Sequence, residues 1–214
     1  MNAPEPKKLS SLHLGDHACF SVRSRKEQVL VTSEFIRIGL ERNESCLFLG
    51  DPVLVAKVAD ALSDAGVDLR GEAQRGALLL RSERDYLVDG RLESKAMVVC
   101  LLKAVSEAVK AGFAGLRATG DVLWELGTEV DVRTLLEYEP ALDAAFVGKK
   151  FLGLCQYKEN SFSPKYLRNM LLSHPKVVTD GNVHQENRYY KCVESFDKLD
   201  YRNLPLNEMY AALK

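Results

Sequence analysis

The sequence has no two cysteines at CxxC spacing, no HExxH, and no short Cys/His pair of zinc-finger type. Its five cysteines, Cys19, Cys46, Cys100, Cys155 and Cys192, are an odd and scattered set. That pattern predicts reduced thiols rather than a disulfide framework. Charge of one sign is lacking too: Lys and Arg total 29, Asp and Glu 30, and the net charge is -1. Without a basic excess there is no field to hold a polyphosphate backbone, which argues against nucleic acid as a partner. Long apolar runs are missing; Met97–Leu102 stops at Lys103, far short of the ~18–20 residues that span a bilayer. The first eight residues carry two prolines and two lysines where a signal peptide has an apolar core. These absences predict a soluble, cytoplasmic protein with no membrane partner.

What is present suits an ordinary globule: 214 residues, 46% hydrophobic and 28% charged. No repeat or linker divides the chain, so the expectation is a flexible terminus over 1–11 and one domain over 12–214. Apolar segments alternate between two periods. His17–Val22 reads as a strand, and Ser24-Arg25-Lys26-Glu27 has the spacing of a capping box opening a helix to about Arg42. Cys46–Leu49 reads as a strand buried on both faces, followed by the cap Asp51-Pro52. Ala77–Arg81 and Gly115–Thr119 read as strands, Leu92–Ala111 as the longest helix, and Asp131 to about Phe146 as another, kinked by Pro140. Phe151–Tyr157 is strand-like, and Ser163-Pro164 caps a helix through Leu172. Val177–Thr179 and Tyr189–Cys192 read as strands paired around Asp180-Gly181, with a terminal helix over Leu204–Leu213. This alternation predicts a three-layer α/β fold: a mostly parallel sheet with helices on both faces.

Such sheets bind ligands beyond the carboxyl ends of their strands. The first candidate turn, Gly50-Asp51-Pro52 running to Lys57, lacks the glycines of a phosphate cradle and the Ser/Thr that would follow its lysine. No nucleotide is therefore expected. Asp121, just past a strand and close to the single tryptophan Trp124, could line a pocket or simply cap a helix over a core tryptophan. In Glu137-Tyr138-Glu139 successive side chains point ~100° apart, so only one glutamate can face the sheet. Alternation sends Cys155 and Tyr157 to one sheet face and Gln156 to the other. His17 and Cys19 share a face, and with Cys155 or His174 they would offer transition-metal ligands, although no short-range spacing announces a site. Cys155 with His17 or His174 would equally suit a nucleophilic pair. Because such polar groups are costly to bury singly, His17, Glu137, Cys155 and His174 are expected to share one cavity at the carboxyl edge of the sheet.

Seven phrases taken in order carry a resemblance: Gly15-Asp16-His17; Arg75–Leu78; Tyr86–Leu92; Gly112-Phe113 through Arg117–Gly120 with Trp124; Glu137-Tyr138-Glu139; Cys155-Gln156-Tyr157; and His174-Pro175. Together they resemble the MEDS domain, the sensory domain of DcmR-type regulators of methanogens and methylotrophs. The resemblance implies a RecA/KaiC-like fold without a phosphate loop, and a role in sensing simple hydrocarbon derivatives. It implies ligand-facing positions at Asp16, His17, Glu137, Glu139, Cys155, Tyr157 and His174, with Asp121 standing where the family carries glutamate. The family's output modules, a helix-turn-helix or a kinase, find no counterpart in this sequence. The expectation is a non-catalytic sensor that binds a small molecule and signals through a separate protein, with a homo-oligomer left open. The alternatives are a ligand-free scaffold on a degenerate ATPase fold, and a small-molecule enzyme using His17, Cys155 and a glutamate.

Overall fold

A computed structural model of the chain describes residues 7–82, 94–121, 139, 141–190 and 205–213. The strands are β1 (Lys7–Lys8), β2 (His17–Val22), β3 (Ser45–Gly50), β4 (Leu78–Ser82), β5 (Leu116–Asp121), β6 (Phe151–Lys158), β7 (Lys176–Thr179) and β8 (Asn182–His184). They form one sheet in the order β1-β8-β7-β2-β6-β5-β3-β4. The six strands from β7 to β4 run parallel, while β8 is antiparallel to β7 and β1. Buried on both faces, β2 and β3 have no exposed residue, as the sequence of β3 had implied.

One face is covered by α1 (Arg25–Glu41) and α2 (Pro52–Asp64). Phe35 and Ile38 meet Ala18, Phe20 and Leu154 there, and Leu54, Val58 and Leu62 meet Cys46, Phe48 and Leu78. After α3 (Leu69–Gln74), the chain returns through β4 to the other face. That face carries α4 (Ser94–Lys110), the helical segment 141–146, α5 (Pro164–Ser173) and α6 (Leu206–Ala211). Met97, Leu101 and Val105 pack on Leu47 and Leu49, and Tyr166, Met170 and Leu171 pack beside Cys19 and Tyr157. Helices on both faces of a mostly parallel sheet are the architecture the sequence predicts.

The caps form where the sequence put them. The Ser24 hydroxyl accepts from the Glu27 N–H, while Glu27 reaches the N–H of Arg23. At the turn examined for a phosphate loop, the Asp51 carboxylate accepts from the Leu54 N–H at 2.9 Å and pairs with Arg25. Its acceptors serve the helix start, so the turn is a capped helix N-terminus.

Two readings change. The strand opposite β7 is Asn182–His184, not Tyr189–Cys192. Asp180 and Gly181 both have positive φ, 52° and 70°, which is the two-residue hairpin turn that brings the very next residues into pairing. Lys7–Lys8, in the stretch expected to be a flexible terminus, pair with β8, anchored by buried Leu9 and Leu12. Of the helix read over Asp131–Phe146, only Glu139 and 141–146 are helical within the described residues; Pro140 and its kink lie outside them. Among the described residues no helix is long and apolar enough to cross a membrane.

Gly39 marks a close approach of α1 to the sheet. A Cβ there would lie 2.5 Å from the Cys46 Sγ and 2.6 Å from the Arg117 Cδ, both buried. The helix would gain up to about 1 kcal/mol from alanine, but overpacking a core costs about 1–3 kcal/mol. Gly39→Ala is therefore expected to lower stability on balance, read as a lower urea midpoint; an unchanged or raised midpoint would show that α1 can lift off the sheet.

Candidate functional site

Parallel pairing aligns β2 with β6 so that His17 neighbours Gly153 and Cys19 neighbours Cys155. Residues at matched positions point the same way, so His17, Cys19, Cys155 and Tyr157 share the face under α5. Here the two apolar clusters of that face meet, with the Cys155 side chain against both. His174 arrives from the C-terminal end of α5. Its Nδ1 donates to the Met170 carbonyl at 2.8 Å, a helix-end acceptor that also takes the Ser173 hydroxyl at 3.1 Å. Glu139 descends from the helical stretch above.

Four side chains converge, their ligand-type atoms all within 4.8 Å of one another: His17, Glu139, Cys155 and His174. The His17 Nε2 lies 3.4 Å from the Cys155 Sγ and 3.3 Å from the Glu139 Oε2. The His174 Nε2 lies 3.4 Å from the same carboxylate oxygen, and the Cys155 Sγ 3.9 Å from it. The Tyr157 hydroxyl donates to the other oxygen, Oε1. Glu139, His174 and Tyr157 are fully buried, His17 is nearly so, and Cys155 is half-buried.

A second layer fixes the rings. The His17 Nδ1 is 2.7 Å from the Asp143 Oδ1, and the Tyr190 hydroxyl donates to the other Asp143 oxygen at 3.3 Å. With Nδ1–H of both histidines directed outward, both Nε2 atoms face the cluster. Although burial disfavours the His17 imidazolium, the Cys155 sulfur and the Asp143 and Glu139 carboxylates outweigh it and raise the pKa well above 6.5. Burial likewise opposes the Glu139 carboxylate, but His174 and His17 hold it well below the usual range. The Tyr157 phenol is pushed up by burial first and by Glu139 next. The cluster therefore stabilises negative charge on Glu139 and positive charge on His17.

Beside it lies a recess of about 240 Å³, into which His17 and Asp143 face together with Leu142, Phe146, Phe151 and Tyr190. His17 thus touches both the buried cluster and the opening.

Of the residues singled out from the sequence, His17, Glu139, Cys155, Tyr157 and His174 come together. Trp124 and Glu137 lie outside the described residues, and the glutamate that meets the histidines is Glu139. Asp16 lines the recess beside His17 but stands outside the cluster, pairing with Lys176 at 2.6 Å and accepting from the His13 N–H. Asp121 belongs to the opposite face, where it accepts from Gln28 and pairs with Lys158. The carboxyl-edge placement is corrected as well. His17 opens β2, Cys155 sits mid-strand, and the cluster lies over the face of the sheet, roofed by helices. Sequence reasoning missed Asp143 and Tyr190. Asp143 could have been found, because it stands four residues after Glu139 on a helix and so shares its face.

The chain matches the family model described as MEDS: MEthanogen/methylotroph, DcmR Sensory domain, over residues 16–175. The matched span includes all four clustered side chains. No curated protein matches the chain.

Proposed function

The chain belongs to the MEDS family, a sensory family, and on that premise we propose that it binds a small molecule in the recess beside His17 and signals through a separate protein. The observation that carries this reading is the double position of His17, in the recess wall and in the buried cluster. A ligand touching His17 or Asp143 changes the hydrogen bonding of a group tied to Glu139, Cys155 and, through Glu139, to α5. Binding then favours one arrangement of the helices over the sheet, which a partner reads at the surface. A volume of about 240 Å³ lies below the ~300–1,000 Å³ of drug-sized sites. It suits a molecule of a few heavy atoms, such as a simple hydrocarbon derivative. The role is cytoplasmic binding without turnover.

One observation favours a second reading. Cys155, His17 and Asp143 stand in the order nucleophile, base, orienting carboxylate, at 3.4 Å and 2.7 Å, as in thiol enzymes. Against it, Glu139 puts a carboxylate 3.9 Å from the sulfur, where acyl transfer needs hydrogen-bond donors for a developing oxyanion. The binding reading is therefore preferred.

A thermal-shift panel of short alcohols, methylated amines and halomethanes tests it. A compound at about 100 times its Kd stabilises by about 2.7 kcal/mol, or roughly 5–10 °C for a chain of this size. The shift should saturate and should disappear in Val147→Trp, which narrows the recess from its exposed rim. No saturable shift from any compound at millimolar concentration would remove the sensor reading. Turnover of a compound that is lost in Cys155→Ser would replace it with the enzyme.

A further inference from the structure

We propose that His17, Glu139, Cys155 and His174 are the four ligands of a transition-metal site of the zinc class, built from two imidazole nitrogens, one carboxylate oxygen and one thiolate. The proposal stands on the cluster alone and survives failure of the sensor reading.

Geometry argues first. Zinc bonds of about 2.0–2.3 Å to nitrogen, oxygen and sulfur give a tetrahedron whose edges are roughly 3.3–3.7 Å. The observed edges are 3.3 Å and 3.4 Å from Glu139 to the two histidines, 3.4 Å from His17 to Cys155, and 3.9 Å from Cys155 to Glu139. Four of the six edges thus match a coordination shell around one centre, and the remaining two, from His174 to His17 and to Cys155, are no longer than 4.8 Å.

Hydrogen bonding argues second, and independently. The His174 Nδ1 is committed to the Met170 carbonyl, so the Nε2 is the ring atom aimed into the cluster. That Nε2 is fully buried with no hydrogen-bond partner of good geometry among the described residues, and it faces the Glu139 Oε2 at 3.4 Å. A buried acceptor nitrogen facing a carboxylate is repulsive unless a proton or a cation lies between them. His17 repeats the arrangement with Asp143 behind its Nδ1. A carboxylate or carbonyl holding the outer N–H of each imidazole is the outer shell that orients metal-binding histidines.

Charge argues third. A Glu139 carboxylate and a Cys155 thiolate balance a dication, so the loaded site is neutral in its buried setting. Binding releases the Cys155 thiol proton and the His17 Nε2 proton to solvent. Mixed nitrogen and sulfur donors select zinc-like ions over magnesium or calcium, which take oxygen ligands.

The test uses the full chain in a Cys100→Ser background, because Cys100 is exposed and would bind metal adventitiously. Protein stripped with chelator is titrated with Co2+, which takes zinc's tetrahedral sites and reports its ligands by absorption. One equivalent should produce intense visible bands of tetrahedral cobalt and a near-ultraviolet thiolate-to-cobalt band, and Zn2+ should bleach both. Cys155→Ser should lose the thiolate band. Asp143→Asn, outside the ligand set, should weaken Zn2+ binding about 10–100-fold in chelator competition. Absence of both bands in the wild-type chain overturns the proposal and leaves a proton-linked cluster, as does a thiolate band that persists in Cys155→Ser. If Cys155→Ser fails to fold, the wild-type spectrum and the Asp143→Asn affinity decide between the same two outcomes.

Discussion

Glu44→Ala is expected to destabilise the fold by about 3–5 kcal/mol, the cost of leaving a buried charge without its partner. Arg117 is fully buried in β5, beneath α1, and its Nε donates to the Glu44 Oε2 at 2.5 Å. The guanidinium lies 4.6 Å over the Phe35 ring, and neither terminal nitrogen has a hydrogen-bond partner among the described residues. Among the described residues Glu44 is thus the single carboxylate compensating a cation that cannot reach water. For a chain of this length the loss corresponds to a fall in Tm of roughly 6–20 °C. The double replacement Glu44→Leu with Arg117→Met removes both charges and should recover most of the loss, because buried pairs recoup little beyond their desolvation. Urea melts of the three proteins check this. A single replacement costing under about 1 kcal/mol would mean that Arg117 finds solvent.

Gln156→Leu is expected to cost about 1–3 kcal/mol, the cost of leaving buried polar groups short of a partner. Gln156 is fully buried, and its Nε2 donates to the hydroxyls of Thr32 and Thr119 at 2.9 Å and 2.8 Å. Its Oε1 accepts from Gln28, which also donates to Asp121. Leucine fills the volume but strips contacts from Thr32, Thr119 and Gln28 together. Since Gln156 and Cys155 point to opposite faces, the same replacement should leave Co2+ binding at the cluster unchanged wherever the protein folds. A neutral Gln156→Leu in urea titration would show that the network under α1 is exchangeable for apolar packing.

Much of the fold was legible because its signals are local. Ser24, Asp51 and Ser163 each cap a helix, since the bond from a cap side chain to an N–H three residues on is set within one turn. The Asp180-Gly181 turn was equally visible, but the strand it returns to was misplaced. The apolar pair Tyr189-Tyr190 drew the reading away from the short Asn182–His184, whose pairing follows from the turn's backbone angles. Lys7–Lys8 gave no strand signal, because their place at the sheet edge depends on β8 already being there.

The candidate site was legible in its residue types more than in its placement. Alternation correctly separated Cys155 and Tyr157 from Gln156, and His17 was placed on the face of Cys19. By itself, then, the sequence determined which way His17, Cys19, Cys155, Gln156 and Tyr157 point, where the helices capped by Ser24, Asp51 and Ser163 start, and that the first strand–helix turn is acidic and proline-bearing rather than a phosphate cradle. Each follows from spacings of two to four residues, which backbone geometry turns directly into direction. Tertiary structure alone decided that β2 lies beside β6. Only that adjacency puts His17 against Cys155, 138 residues away, and sends Asp121 into a network beneath α1. It also decided that Glu139 meets both histidines, for a helix period says which side chains share a face but not which sheet face they are pressed against. The order of strands rests on the summed burial of two apolar layers, and no short segment of the chain carries that quantity.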